Sequence, residues 1–208
     1  INTKVIENKN NSVDIIYDFK LGDRAIIKSI NFQGNKIFKD SKLRNIIKSE
    51  EGKFWKFISS DKYLDERKIK IDENRLNEFY KNKGYYNVNI KSSYAKIINN
   101  KFFELNFNID AGDKYYFNNI NLNLKDEFQN ENFKNIKKRL KKLNGEKYSK
   151  RILDNLLDDI NKITIQEEFL FLDVKYDLSI VEKNKIKIVL NFDDLEKIFV
   201  EQINIFGN

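Results

Sequence analysis

The chain of 208 residues contains no cysteine, no histidine and no proline. Without cysteine and histidine, it cannot form cysteine nucleophiles, Ser-His or Cys-His dyads, or the common zinc sites. No apolar run approaches the roughly 20 residues that a membrane-spanning helix needs, and no signal peptide is visible. Because neither proline nor a Gly/Ser-rich stretch separates domains, we expect short, semi-rigid junctions. These absences favour a binding role over an enzymatic one.

The charge of the chain is a weaker indication. A net charge of +7 arises from 39 basic and 32 acidic residues. Basic chains can bind nucleic acids or anionic membranes, but such binding needs clustered charge, and lysine is spread along this whole sequence. Abundant Lys, Asn, Ile, Phe and Tyr are typical of an AT-biased coding sequence. We therefore predict no nucleic-acid partner. The less favoured alternative is a single-stranded nucleic-acid-binding module in which Tyr and Phe side chains stack on bases.

One segment occurs three times, with spacings of 90 and 83 residues between the copies. Each copy is an alternating apolar strand, a short turn and a second apolar strand. The turns begin at Gly22, Gly112 and Leu195. A period of this length corresponds to one small domain per copy, so the sequence predicts a tandem array.

Hydrophobic periodicity predicts the order β-α-α-β-β within each full unit. Asp40 or Ser41 is the predicted cap of the first helix, and Ser149 that of the last helix. We predict an α+β fold in which each unit is a three-stranded mixed sheet packed on two antiparallel helices. The predicted elements are 26–32, 40–47, 65–82, 86–94 and 103–109 in the first unit, and 116–122, 130–142, 149–160, 169–178 and 185–192 in the second.

The repeat also predicts domain boundaries. Residues 1–22 are interpreted as the C-terminal hairpin of a truncated domain, residues 23–113 and 114–196 as two complete domains, and residues 197–208 as the first strand of a further domain. We accordingly expect the sequence to be a fragment of a longer protein.

Several motifs resemble those of POTRA (polypeptide-transport-associated) domains. The stretches I-N-F-Q-G-N at 30–35 and I-N-I-F-G-N at 203–208 are similar to the I-x-F-x-G-N opening of such domains. The stretch F-W-K-F-I-S-S-D-K-Y at 54–63 resembles the aromatic loop of a third POTRA domain, and the L-x-x-F-Y-x-x-x-G-Y pattern at 76–85 resembles a helix exit of the same family. Two departures occur in the second unit, where N-L-K at 123–125 replaces the Gly-Asn turn and Q-E-E at 166–168 replaces a helix-closing glycine.

The resemblance implies the end of a second POTRA domain, a whole third and fourth, and the first strand of a fifth. It implies a periplasmic arm of an outer-membrane β-barrel assembly factor, attached to a C-terminal membrane barrel outside this sequence. The implied partners are unfolded outer-membrane β-barrel proteins and accessory lipoproteins. In this fold the third strand is central and the second is an exposed edge. The POTRA arm of a two-partner secretion or organelle import translocase is an alternative.

The exposed edge is the leading candidate site. In a β-α-α-β-β unit two helices cover one face of the sheet, so an edge stays open unless another chain pairs with it. Backbone groups on such an edge can bind an extended peptide as an added strand. The side chains of Tyr86, Val88 and Ile90 are better explained as core-facing strand residues. The candidate residues of the first unit are Tyr86, Val88, Ile90, Ser92 and Tyr94.

A second candidate is the aromatic loop. Phe54, Trp55 and Phe57 could contact a neighbouring domain or a partner, as aromatic anchors often do. The alternative is a plug over the local core, since tryptophan among apolar neighbours is usually buried.

The remaining polar clusters predict no chemistry. Adjacent carboxylates such as Asp72 and Glu73 diverge by roughly 100° on a helix, and no EF-hand spacing or phosphate-binding loop is present. We interpret such pairs as solvated surface, and we predict no catalytic residue, no metal site and no cofactor.

Overall fold

The computed structural model describes residues 2–8, 10, 12–18, 24–53, 60–99, 101–124, 131–166, 172–194 and 202. Within these ranges the chain forms eight β-strands and four α-helices, and the strands belong to three separate sheets. The predicted α+β class is confirmed.

The N-terminal sheet is a two-stranded antiparallel hairpin of β1 (Asn2–Glu7) and β2 (Val13–Asp18). Val5 lies opposite Ile15. Both side chains are more than half exposed, and every other residue of the two strands is exposed as well. The hairpin predicted here is therefore confirmed, and its apolar side chains are not covered by the described part of the chain.

The first unit is a mixed three-stranded sheet with two helices on one face. Its strand order is β3-β5-β4, in which β3 runs parallel and β4 antiparallel to the central β5. In β5, Leu105 and Phe107 are fully buried, whereas Asn106 lies on the other face and accepts a hydrogen bond from Asn31 at 3.0 Å. The elements are β3 (Ile26–Asn35), α1 (Asp40–Arg44), α2 (Glu66–Lys81), β4 (Asn89–Asn99) and β5 (Phe102–Asp110).

The helix α2 covers much of the buried face. It begins after Asp65, whose side chain accepts a hydrogen bond from the N–H of Arg67 at 2.9 Å, as an N-cap residue does. It ends before Gly84, which has φ +102°, a conformation that glycine adopts without steric penalty. Its buried residues recur at helical spacing and are Ile69, Asp72, Leu76 and Tyr80.

The second unit repeats the order β-α-α-β-β. Its sheet has the order β6-β8-β7, with the same strand directions as the first. Ile186, Ile188 and Leu190 of the central strand are fully buried. Each unit has its own cluster of buried residues. The elements are β6 (Tyr116–Asn123), α3 (Glu131–Leu143), α4 (Lys150–Gln166), β7 (Leu172–Glu182) and β8 (Lys185–Asp194).

The two units contact each other where α2 ends and β6 begins. The N–H of Tyr115 donates to the carbonyl of Gly84 at 2.8 Å. The ring of Tyr86 lies 5.8 Å from the ring of Tyr115 and 5.3 Å from that of Tyr148, both edge to face. Tyr86 thereby packs against the core of the second unit, which gives the short junction a defined contact.

Three sequence predictions need comment. The first helix is only five residues long, and its N-cap is Lys39, which makes no side-chain cap bond; Asp40 lies in its first turn instead and pairs with Lys36. Phe54, Trp55 and Phe57 lie outside the described residues, and of the strand predicted within 197–208 only Gln202 is described. The domain boundaries stay predictions.

None of the described helices has the length and apolar character of a membrane-spanning segment.

Candidate peptide-binding edge

The strand β4 has a free edge in the part of the chain that the structure describes. Its partner in the sheet is β5, and no second strand lies on its other side. The antiparallel register is regular from Asn89, opposite Asp110, to Tyr94, opposite Leu105, and becomes irregular beyond that point. Residues 89–94 are therefore the ordered section of an exposed strand edge.

Ser92 identifies the backbone groups that face away from β5. Its N–H donates to Oε1 of Glu73 in α2 at 2.7 Å, so this N–H points to the outer edge. Successive peptide groups of a strand point to opposite edges. Ile90 and Tyr94 consequently present their N–H and C=O groups on the same outer edge as Ser92, where an added strand would bind.

Three of the five predicted site residues, Ile90, Ser92 and Tyr94, lie in β4. The Ile90 side chain is only 7% exposed and belongs to the first core. A guest peptide would therefore contact the backbone of Ile90 and not its side chain. The groups that this edge offers are main-chain groups, which bind strands of many sequences.

Tyr86 and Val88, the other two predicted residues, are not part of the strand. The N–H of Tyr86 donates to the carbonyl of Gly84 at 3.1 Å, and the N–H of Val88 to that of Tyr85 at 3.3 Å. These are turn bonds, so the prediction that the strand begins at Tyr86 is wrong. The turn after Gly84 directs Tyr86 towards the second core and leaves Val88 buried in the first.

Glu73 is a residue of this edge that sequence reasoning missed. Its side chain is 13% exposed and pairs with Nζ of Lys70 at 3.0 Å. Burial disfavours the charged carboxylate, but hydrogen bonds from Ser92 and Lys70 outweigh that effect and hold the pKa of Glu73 below its ordinary value. The carboxylate is thus held in its charged form against the outward N–H of Ser92.

The interpretation of Asp72 and Glu73 as solvated surface is wrong for both residues. Asp72 is fully buried and accepts hydrogen bonds from the N–H groups of Lys48 and Ser49, the latter at 3.0 Å. The two carboxylates do diverge, as helix geometry requires, and each has separate backbone partners. Neither is positioned as a proton-sharing pair.

The strand β7 is the corresponding edge of the second unit. It pairs with β8, with Val174 opposite Phe192. Lys175 lies 3.3 Å from both Asp173 and Asp193, so these charges pair among themselves. Among the residues that the structure describes, no side chain is hydrogen-bonded to the backbone of β7. The two edges therefore differ, because an outward N–H of β4 is occupied.

The described residues contain no cluster of three or more acidic side chains that could hold a metal ion. The arrangement at β4 offers main-chain hydrogen bonds and one carboxylate, which suits the binding of a polypeptide.

Comparison with known proteins identifies the repeated unit. Residues 25–112 match the family model of the POTRA domain, described as a surface antigen variable number repeat. The whole chain is 24% identical to the outer membrane protein assembly factor BamA of Neisseria meningitidis serogroup B, and it spans 26% of that relative.

Two solved structures have a similar fold. Domains POTRA3–5 of BamA from Haemophilus influenzae match 94% of this chain and 71% of their own length, with a TM-score of 0.54 and 14% identity. BamA from Haemophilus ducreyi lacking POTRA domains 1–3 matches 81% of this chain and 29% of its own length, with a TM-score of 0.59 and 12% identity. At these identities the likeness concerns the fold.

The segment matched by the family model begins just before β3 and ends just after β5. It therefore contains the complete first unit, with its central third strand and its free second strand. The second unit repeats the same order and strand directions. Residues 25–112 therefore match the POTRA domain family, and the second unit has the same architecture.

Proposed function

We propose that the chain is part of the periplasmic arm of an outer-membrane β-barrel assembly factor, and that β4 binds segments of unfolded outer-membrane proteins by strand addition. Similarity to BamA along the whole chain supports the general role. The binding mode rests on the free edge of β4: among the described residues β5 is its single strand partner, and Ile90, Ser92 and Tyr94 direct their backbone groups away from β5.

Segments of an unfolded β-barrel protein have the chemistry that this edge requires. Such segments alternate apolar and polar residues, and their backbone groups are unpaired until the barrel closes. In strand addition the main-chain hydrogen bonds supply the affinity. One edge can therefore accept many barrel sequences, as an assembly factor must.

In this proposal the arm lies in the periplasm and is attached to the outer membrane through a C-terminal barrel beyond this sequence. Accessory lipoproteins of the assembly complex are its other partners. The role is non-enzymatic, because the arm orients and templates its guests. The contact of Tyr86 with the second core supports a fixed relation between successive edges.

The substitution Ser92→Pro tests the binding mode. Proline removes the outward N–H of the edge and leaves the bonds to β5 in place. The substitution is made in a Glu73→Ala background, because Glu73 accepts a hydrogen bond from the same N–H and would otherwise lose it at the same time. Ser92→Ala is the matched control, because it keeps the N–H. Val88→Pro would be a poorer test, since it breaks the turn bond to Tyr85. The probe is a fluorescent peptide of alternating valine and threonine, and its anisotropy is measured with the 208-residue chain.

In the Glu73→Ala background we expect Ser92→Pro to weaken peptide binding about tenfold, as the loss of one main-chain hydrogen bond implies. Ser92→Ala should bind within about twofold of Glu73→Ala itself. Circular dichroism and urea unfolding check that all variants are folded. Strand addition at β4 is excluded when, in this background, a folded Ser92→Pro binds as tightly as Ser92→Ala.

A further inference from the structure

We infer that Glu73 is a gate on the β4 edge: its carboxylate occupies the N–H of Ser92 that a guest strand must bind, so a guest has to displace it. This inference rests on the proposed function. It names Glu73 as the group that competes with a guest strand for the N–H of Ser92, and it predicts which guest sequences the edge prefers. The contact that carries it is the 2.7 Å hydrogen bond between Ser92 N and Glu73 Oε1.

The geometry makes Glu73 an effective competitor. A hydrogen bond to an ionised acceptor is shorter and stronger than one to a neutral carbonyl, and a guest strand can offer only the carbonyl. Lys70 holds the other carboxylate oxygen of Glu73 at 3.0 Å, and the side chain is 13% exposed. Glu73 thus competes from an ordered position on α2, whereas a flexible guest loses conformational entropy when it binds.

Displacement leaves a carboxylate beside the guest strand. A partly buried carboxylate is stable only when cations or donors stay close to it, and Lys70 supplies one cation. A lysine or arginine of the guest that faces Ser92 would supply a second. A guest aspartate or glutamate at that position would be repelled, as like charges are across neighbouring strands. The gate therefore favours guests with a basic residue opposite Ser92.

The second unit has no such gate among its described residues. The edge strand β7 has the same place in its sheet as β4, but no described side chain is hydrogen-bonded to its backbone. The free edge is thus common to both units, and the gate is an additional feature of α2 and β4. It is not a consequence of the shared fold.

The test compares Glu73→Ala with Glu66→Ala, which removes an exposed carboxylate from the first turn of the same helix. Glu73→Gln is a second variant that keeps the side-chain size and removes the charge. Amide hydrogen exchange of Ser92, followed by NMR, reports the gate directly. Binding is measured with two alternating valine–threonine peptides that carry a central lysine or a central glutamate.

We expect Glu73→Ala to speed the amide exchange of Ser92 and to tighten the binding of both peptides. The glutamate peptide should gain about tenfold more affinity than the lysine peptide, because it also escapes repulsion by Glu73. The preference for lysine should therefore disappear. Glu73→Gln should change both readouts in the same direction, and Glu66→Ala should change neither.

The outcomes separate the gate from the proposed function. Unchanged Ser92 exchange, or a lysine preference that persists in folded Glu73→Ala and Glu73→Gln, overturns the gate. If Ser92→Pro still weakens binding in that case, strand addition stands without a gate. If Ser92→Pro binds normally in the Glu73→Ala background, the proposed binding mode itself fails.

Discussion

Asp72 and Glu73 are adjacent in α2 but bind different parts of the chain. The carboxylate of Asp72 accepts the N–H groups of Lys48 and Ser49, which follow α1, whereas Glu73 reaches Ser92 on β4. Each carboxylate thus satisfies backbone donors that have no strand or helix partner. Two neighbouring acidic residues connect α2 to a loop on one side and to a sheet edge on the other.

The sequence contains a signal for the burial of Asp72. This residue lies three positions after Ile69 and four before Leu76, on the same buried face of the helix. The general preference of carboxylates for the surface predicts the opposite, and it is wrong here because the two N–H groups pair with the buried charge. Those donors are distant in sequence, so periodicity alone does not reveal them.

We predict that Asp72→Ala lowers the free energy of unfolding by about 2–4 kcal/mol, because it leaves the buried N–H of Ser49 and the partly buried N–H of Lys48 without an acceptor. Urea unfolding followed by circular dichroism measures the change. Asp158→Ala is the control, since Asp158 is exposed on α4 and should change stability by less than about 0.5 kcal/mol. Equal stability of the two variants would show that the loop after α1 does not depend on this carboxylate.

At the scale of elements, the N-terminus of α4 is capped by the neighbouring unit. Ser149 is the cap that the sequence predicts, but its hydroxyl donates to Oδ1 of Asn82 at 3.3 Å. The same Asn82 oxygen accepts the N–H of Arg151 at 2.7 Å. Asn82 itself follows the last turn of α2. One residue therefore ends a helix of the first unit and caps a helix of the second.

We predict that Asn82→Ala weakens α4 by about 1 kcal/mol, the usual effect of losing an N-cap acceptor. Faster amide exchange of Arg151 should accompany this loss. Asn82→Asp is the control that keeps an acceptor oxygen; its charge is favourable at the N-terminus of α4 and unfavourable at the C-terminus of α2. Unchanged exchange of Arg151 in Asn82→Ala would mean that another group satisfies this N–H.

The central strands are predicted well and the edge strand is not. The alternation at 103–109 and 185–192 matches β5 and β8 closely, because the helix-covered face of a central strand must be apolar. Tyr86 and Val88 continue the same alternation into β4, yet they form a turn. The tertiary contact of Tyr86 with the second core overrides its local strand preference.

Across the whole molecule, the described residues form two hydrophobic cores, and the boundary between them does not follow the order of the sequence. Tyr86 precedes β4 of the first unit but packs against the second core. Lys150 at the start of α4 pairs with Glu78 of α2 at 3.5 Å and with Asp154 of its own helix at 2.8 Å. Periodicity assigns a residue to a face of its own element, so it does not detect a side chain that completes a neighbouring core. The junction consequently couples the two units.

We predict that Tyr86→Ala uncouples the unfolding of the two units, because it removes the aromatic contact that crosses the junction. The amide peaks of Phe107 in β5 and Leu190 in β8, followed by NMR, report the first and the second unit separately. In urea the two signals should change together in the unsubstituted chain and separately in Tyr86→Ala, as they do when two-state behaviour is lost. Tyr86→Phe keeps the ring and should behave like the unsubstituted chain. Coincident transitions in Tyr86→Ala would show that the hydrogen bonds and ion pairs of the junction suffice to couple the units, and that the ring of Tyr86 only fills space.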